Sequence, residues 1–224
     1  IVPQWSFNDA FDENDIRAFD ERVRKILSAP PEYTAELKID GLKVVLTYKN
    51  GVLANAATRG DGRVGEDVTN NIRTIESVPL HLEKPVSLIA EGEVFMPKSV
   101  FEKLNKRRKK EGLELFANPR NIAAGSIRQL DPKVTREREL EVFVYDVARI
   151  EPRLDLKNSQ SPTLKTQEEE LNLLKKLGFK VNPHFKKFGN IESVIGFWKE
   201  WADKKDKQDY LIDGVVVKVN RREY

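Results

Sequence analysis

The residues best placed to do chemistry stand in the stretch ELKIDGLKVVLTYKNG, residues 36–51, where Lys38 lies two positions from Glu36 and two from Asp40. Strand side chains alternate faces, so spacing by two puts Glu36, Lys38 and Asp40 on one side of an extended run and Leu37 and Ile39 on the other. A lysine between two carboxylates fits an ordinary ion pair on a solvated strand face. It also fits a nucleophile, which must reach the neutral amine by desolvation or a nearby positive group. Glu36 and Asp40 favour the ammonium, so nucleophilic work demands other cations or a metal ion close by. Arg59, Arg120, Arg128 and Lys218 are the candidate cations. Gly41 is expected to let the backbone turn and to leave room for a ligand.

Other chemistries are closed by composition. The 224 residues contain no Cys and only two His, His81 and His184. Disulfides, thiolate nucleophiles and cysteine zinc sites are therefore excluded, and a multi-histidine metal centre or a Ser-His-Asp triad is disfavoured. Both histidines are expected in surface or loop positions. Acids nearly balance bases, leaving +3, so a local basic patch matters more than the total. No run reaches the length of a membrane span and no signal peptide is evident. A cytoplasmic protein with no membrane partner is the expectation. Neither end reads as a natural terminus, so a piece of a longer chain is expected.

The elements that must position these residues are legible from pattern. Residues 12–28 carry Ile16, Phe19, Val23, Ile26 and Leu27 at helical spacing after a candidate N-cap, Asp12, and Pro30-Pro31 ends the helix. Two strand-like runs, AELKIDGLKVVLTY and VLANAATR, meet at Asn50-Gly51, a hairpin signal. The loop RGDGRVGED carries Gly60, Gly62 and Gly65. VSLIAEGEVFM and LEVFVYDVARI read as strands. PKSVFEKLNKRRKKEG reads as a helix with Pro97 in its first turn and Gly112 at its end. TQEEELNLLKKLG has a capping box, Thr166 with Glu169. NIESVIGFWKEWADK reads as a helix and LIDGVVVKVN as a buried strand. Residues 151–165 read as a loop. Strands and helices mix without βαβ alternation, which predicts an α+β fold with largely antiparallel sheets and flanking helices.

LKIDG matches the lysine-x-aspartate-glycine motif of the covalent nucleotidyltransferases. With ATRGDGRVGEDVTNNIRTI, EGEVFMP, FANPRNIAAGSIRQLDP and DGVVVKVN following in that order, and SFNDAF before the first helix, the chain resembles the adenylation domain of bacterial NAD-dependent DNA ligases over nearly its whole length. The resemblance implies the covalent nucleotidyltransferase fold, the ATP-grasp-like catalytic core of DNA ligases and mRNA capping enzymes. It implies one adenylation domain over 1–224, with 1–30 as a leading helical segment. The N-terminal nicotinamide-binding domain and the C-terminal OB, zinc-finger, helix-hairpin-helix and BRCT parts are expected to lie outside it, and Zn2+ with them.

By that resemblance Lys38 attacks the α-phosphate of NAD, takes AMP as a phosphoramidate, and passes it to the 5′-phosphate of nicked double-stranded DNA. Glu36 would contact the adenine, Arg59 the ribose or phosphate, Glu93 a ribose hydroxyl and Lys218 a phosphate. Ser6 and Phe7 would touch the nucleotide through their backbone. Asp40 and Asp213 would help hold Mg2+; before a glycine, either also fits simple turn formation. Arg120 and Arg128 would bind DNA phosphates or stabilise reaction charge; surface arginines on a tightly packed loop are the alternative. The basic helix end KLNKRRKKEG fits DNA contact or a favourable charge at a helix C-terminus. A monomer is expected. The competing readings are an ATP-dependent ligase or capping-type enzyme, and a non-catalytic nucleic-acid-binding module.

Overall fold

The computed structural model describes residues 8–27, 29–151 and 164–223. In chain order the elements are α1 (Glu13–Ile26), β1 (Tyr33–Ile39), β2 (Leu42–Lys49), β3 (Val52–Thr58), α2 (Thr69–Ile72), β4 (Ser87–Phe95), α3 (Lys98–Lys110), α4 (Pro119–Ser126), α5 (Pro132–Arg136), β5 (Glu141–Glu151), α6 (Gln167–Lys176), β6 (Lys186–Phe188), α7 (Ile191–Lys204) and β7 (Ile212–Val219). They build two antiparallel sheets, one of order β6-β1-β7 and one of order β3-β2-β4-β5. This is the expected α+β architecture.

Each sheet has its own apolar core. Val44, Leu46, Tyr48, Leu88, Val142 and Val144 of the four-stranded sheet pack with Ile72, Ile122, Leu171 and Leu174 from α2, α4 and α6. Tyr33, Ala35 and Leu37 of the three-stranded sheet pack with Ile16, Val194, Ile195 and Trp201 from α1 and α7. The sheets meet through aromatic rings. Phe95 of β4 stacks on Phe143 of β5 at 4.9 Å between centroids, and Tyr210, just before β7, sets its edge against both.

Local chemistry explains most boundaries. Asp12 caps α1 by accepting from Asp15 N, and Thr166 and Glu169 form the capping box of α6. Asn50 (φ 50°) and Gly51 (φ 78°) both take left-handed backbone, as a tight hairpin turn requires. Three expectations are corrected or sharpened. The run 35–48 is not one strand: it breaks at Asp40-Gly41, and its halves join different sheets. The NPRNIAAGSIRQLDP segment, for which a tightly packed loop was the alternative, holds α4 and opens α5. Asn118 and Asp131 cap them, with Pro119 and Pro132 in their first turns. Finally, β7 is half-buried rather than buried, on both of its faces. Pro97 sits at the N-cap of α3, one position before its first turn. Most of the 151–165 segment lies outside the described residues.

Candidate active site

The site forms at the seam where β1 hands the chain to β2. Glu36 stands opposite Val216, and Lys38 opposite Gly214, in the β1–β7 ladder. Opposed residues share a face, and a residue also reaches the diagonal neighbour two positions on. Thus Lys218 meets Glu36, with Nζ 3.2 Å from Oε1. Opposite Lys38 there is no side chain, and the ladder shifts register between Lys38 and Ile39. Asp213, in the offset part of β7, reaches Lys38 instead, with Oδ2 2.6 Å from Nζ. Asp40 lies beyond the strand end, its N–H donating to Leu211 O, and its carboxylate takes Arg120 of α4 at 3.1 Å.

This arrangement resolves the oddity of a lysine between two acids. Neither flanking acid neutralises Lys38. Glu36 is paired with Lys218 and Asp40 with Arg120, while Lys38 pairs with Asp213 and keeps 48% of its side chain exposed. Glu36 and Lys38 share a face as expected, but Glu36 is buried, and Asp40 belongs to the crossover rather than to the strand face.

The four-stranded sheet supplies the opposite wall. Glu93 and Glu91 of β4 project from one face, and Lys43 of β2 pairs with Glu91 at 2.5 Å. Burial pushes the Glu93 carboxyl up to about 7, against the opposing pull of Lys38, Arg120 and Lys43. Burial likewise raises Glu36, although Lys218 and Gln167 hold it down in part. Lys218 is largely enclosed, which by itself would lower its hold on its proton, but Glu36, Asp146 and Glu170 outweigh that and raise it. Lys218 is therefore a fixed cation beside a half-buried ring, its Nζ 5.7 Å from the Tyr145 centroid.

Several site residues escaped the sequence pattern. A bulge in the β4–β5 ladder pairs Glu91 with Asp146 and Gly92 with Val144, leaving Tyr145 unpaired between them. Burial above all, and then the negative charge of Glu93, Glu91, Asp146 and Glu36, keeps the Tyr145 hydroxyl protonated well above the usual range. Asp146 and the fully buried Glu170 of α6 are hydrogen-bonded to each other. Burial opposes ionisation of Asp146, but Lys218, the hydrogen bond with Glu170 and Arg222 hold it below its usual value; burial and Asp146 then push Glu170 up. The alternation of Glu91 and Glu93 about Gly92 could have marked β4; the bulge at Tyr145 breaks any period and could not be read.

The remaining expected residues are more dispersed. Arg128 pairs with Glu66, in the loop after β3, at 2.6 Å, and among the described residues its ion pair is not with the Lys38 cluster. Arg59 opens that loop, its carbonyl accepting from Gly62 N at 3.0 Å. Ser6 and Phe7 lie outside the described residues. Among the described residues no three His, Cys, Asp or Glu side chains converge as a metal cage. Asp40 and Asp213 flank Lys38 and each is engaged by one cation. Two carboxylates are what Mg2+ needs when phosphates and water complete its shell. No helix among the described residues is long and apolar enough to cross a membrane.

The family model described as "NAD-dependent DNA ligase adenylation domain" matches residues 1–224. The "DNA ligase" of Thermotoga petrophila is 49% identical over 224 residues, which is 100% of this chain and 31% of that protein. The "DNA ligase" of Shouchella clausii is 48% identical over 219 residues, 98% of this chain and 31% of that protein. A solved "mycobacterial DNA ligase D complexed with ATP and MES" has 15% identity and a TM-score of 0.46, covering 85% of this chain and 48% of its own. The chain thus spans about 31% of the length of the curated relatives it matches.

Proposed function

The chain belongs to the NAD-dependent DNA ligase adenylation domains, and from that premise we propose that Lys38 is its nucleophile toward NAD. The observation that carries this reading is the pairing pattern: each acid flanking Lys38 has its own cation, and Lys38 itself remains half exposed at the sheet seam. In the proposed step the Lys38 amine, its proton given up to solvent, attacks the α-phosphorus. The N–P bond forms, the bridging P–O bond breaks, and nicotinamide mononucleotide leaves with the electron pair. Reactions of this kind depend on positioning and on neutralising phosphate charge.

The neighbours have corresponding roles. Lys218 and Arg120 would face the phosphates, Glu36 the exocyclic amine of adenine, and Glu93 a ribose hydroxyl, with Arg59 reaching the ribose or phosphate. The Tyr145 ring offers a stacking face for the base. Asp40 and Asp213 would hold Mg2+, which supplies charge neutralisation at the phosphates. Arg128, with the basic end of α3, would meet the backbone of nicked DNA. In the whole protein AMP would then pass to the 5′-phosphate, and the neighbouring 3′-hydroxyl would displace it.

Intact mass of the protein at its full natural length tests this, before and after NAD with Mg2+ and, in parallel, ATP with Mg2+. A gain of one AMP with NAD, absent in Lys38→Ala, supports the reading. A gain with ATP alone would transfer the chain to the ATP-using class. DNA sealing left intact in Lys38→Ala would leave only a binding module.

A further inference from the structure

Gln167 and Lys218 donate to the same two acceptors. Gln167 Nε2 lies 3.2 Å from Glu36 Oε1 and 3.0 Å from the Tyr145 carbonyl oxygen. Lys218 Nζ lies 3.2 Å from that same Glu36 oxygen and 3.4 Å from that same carbonyl. A primary amide has two N–H donors, and here both are used. Because both neighbours are acceptors, the amide nitrogen, not its oxygen, must face them.

The amide is held firmly. Gln167 is 5% exposed and is the first residue of α6. Its own N–H donates to Asn220 O at 2.7 Å, at the end of β7, and Arg222 N donates to Lys165 O at 2.9 Å. The start of α6 is thus stapled to the strand that carries Lys218. Glu36 and Tyr145 belong to the two different sheets, so this one side chain ties the sheets together at the site.

We propose that Gln167 is a positioning residue that holds Glu36 and the Tyr145 backbone in place when Lys218 turns to a phosphate. The inference rests on the reading of Lys218 and Glu36 above. A phosphate competes for Lys218 with the two acceptors it now serves. Without a second donor, Glu36 and the Tyr145 carbonyl would lose their partner as the nucleotide arrives. A buried acceptor stripped of its donor pays its full desolvation cost. Gln167 is neutral, is not drawn to phosphate, and keeps both acceptors bonded. One Glu36 oxygen is thereby committed to the protein, and the other is free to accept from the adenine amine. Base discrimination then depends on an amide that never touches the base.

The test uses the full-length protein carrying Gln167→Met, which keeps length and removes both donors. Lysyl-AMP formation is followed with NAD and with nicotinamide hypoxanthine dinucleotide, in which a carbonyl replaces the adenine amine. Loss of the amide should raise the KM for NAD and cut the preference for NAD over the analogue, each by about tenfold, with kcat little changed. An unchanged preference in an active variant, or a fall in kcat alone, overturns the inference and leaves the nucleophile assignment standing. Failure of the unsubstituted protein to form the adduct from NAD overturns both. Should Gln167→Met not fold, Gln167→Leu, which also lacks both amide donors and adds no charge beside Glu36, is read against the same outcomes.

Discussion

Gly41 and Val94 touch where the chain crosses between sheets: a Cβ on Gly41 would stand 2.2 Å from the Val94 carbonyl oxygen and 2.9 Å from Glu93 Cγ. The space that the missing side chain leaves is filled by β4, not by open room for a ligand. Gly41 is required for that closeness rather than for left-handed backbone, since its φ is not positive.

Gly41→Ala must therefore push β4 away from the crossover. We expect a loss of about 1–3 kcal/mol and a melting temperature lower by roughly 2–12 °C. Lysyl-AMP formation should fall further than stability, because Lys38 and Asp40 shift with the backbone. Thermal melts and adduct mass on the same sample check this; an unshifted melt would refute the contact.

Glu93 sets a pH dependence whose sign follows from burial. Its carboxyl is raised from 4.5 to about 7, so the folded chain holds the proton more tightly than the unfolded one. The corresponding stability is complete below the unfolded value and is lost as pH rises through about 7. Glu93→Gln should melt above the unsubstituted protein at about pH 8, by at most about 3 kcal/mol, and show no gain at about pH 4. A melting series across this window measures it. A gain at low pH would contradict the assignment.

Glu170 separates a neutral acid from a charged one. It is wholly buried, accepts from Val147 N at 2.6 Å and contacts Arg222. Burial and Asp146 raise it, so its amide isostere keeps the charge of a neutral acid and the oxygen that Val147 N needs, but turns an NH2 toward Arg222. Urea titration should show Glu170→Gln costing about 1–2 kcal/mol, and Glu170→Ala about 3–5 kcal/mol, since the alanine strands both Arg222 and a buried N–H. Equal costs would mean that the carboxylate is ionised.

The basic end of α3 separates DNA contact from catalysis. Arg107 and Lys103 are paired with Glu111 and Glu139, whereas Lys106, Lys109 and Lys110 are exposed with no acid partner among the described residues. Changing these three to Glu in the full-length protein should weaken binding to nicked duplex and flatten the log–log salt dependence by about 2–3. AMP transfer from NAD to Lys38 should be unaffected. An unchanged salt slope would make the cluster only a favourable charge at a helix end.

Local chemistry was legible in the chain because local rules govern it. The caps at Asp12 and Thr166, the turn at Asn50-Gly51 and the helical stripe of α7 depend on neighbours a few residues away. So does the alternation that puts Glu36 and Lys38 on one face, and the ordered motifs named the family before any contact was known. Even α4 and α5 were signalled, by Asn118-Pro119 and Asp131-Pro132. What stayed hidden was every pairing across long separations. Which cation neutralises Glu36, which acid meets Lys38 across 175 residues, and which amide reaches Glu36 across 131 residues all depend on strand register and on a sheet change at Gly41. Residue types and periods supply the charges, but a shift of one in register or a single bulge redirects every side chain, and only the packed sheets fix those choices.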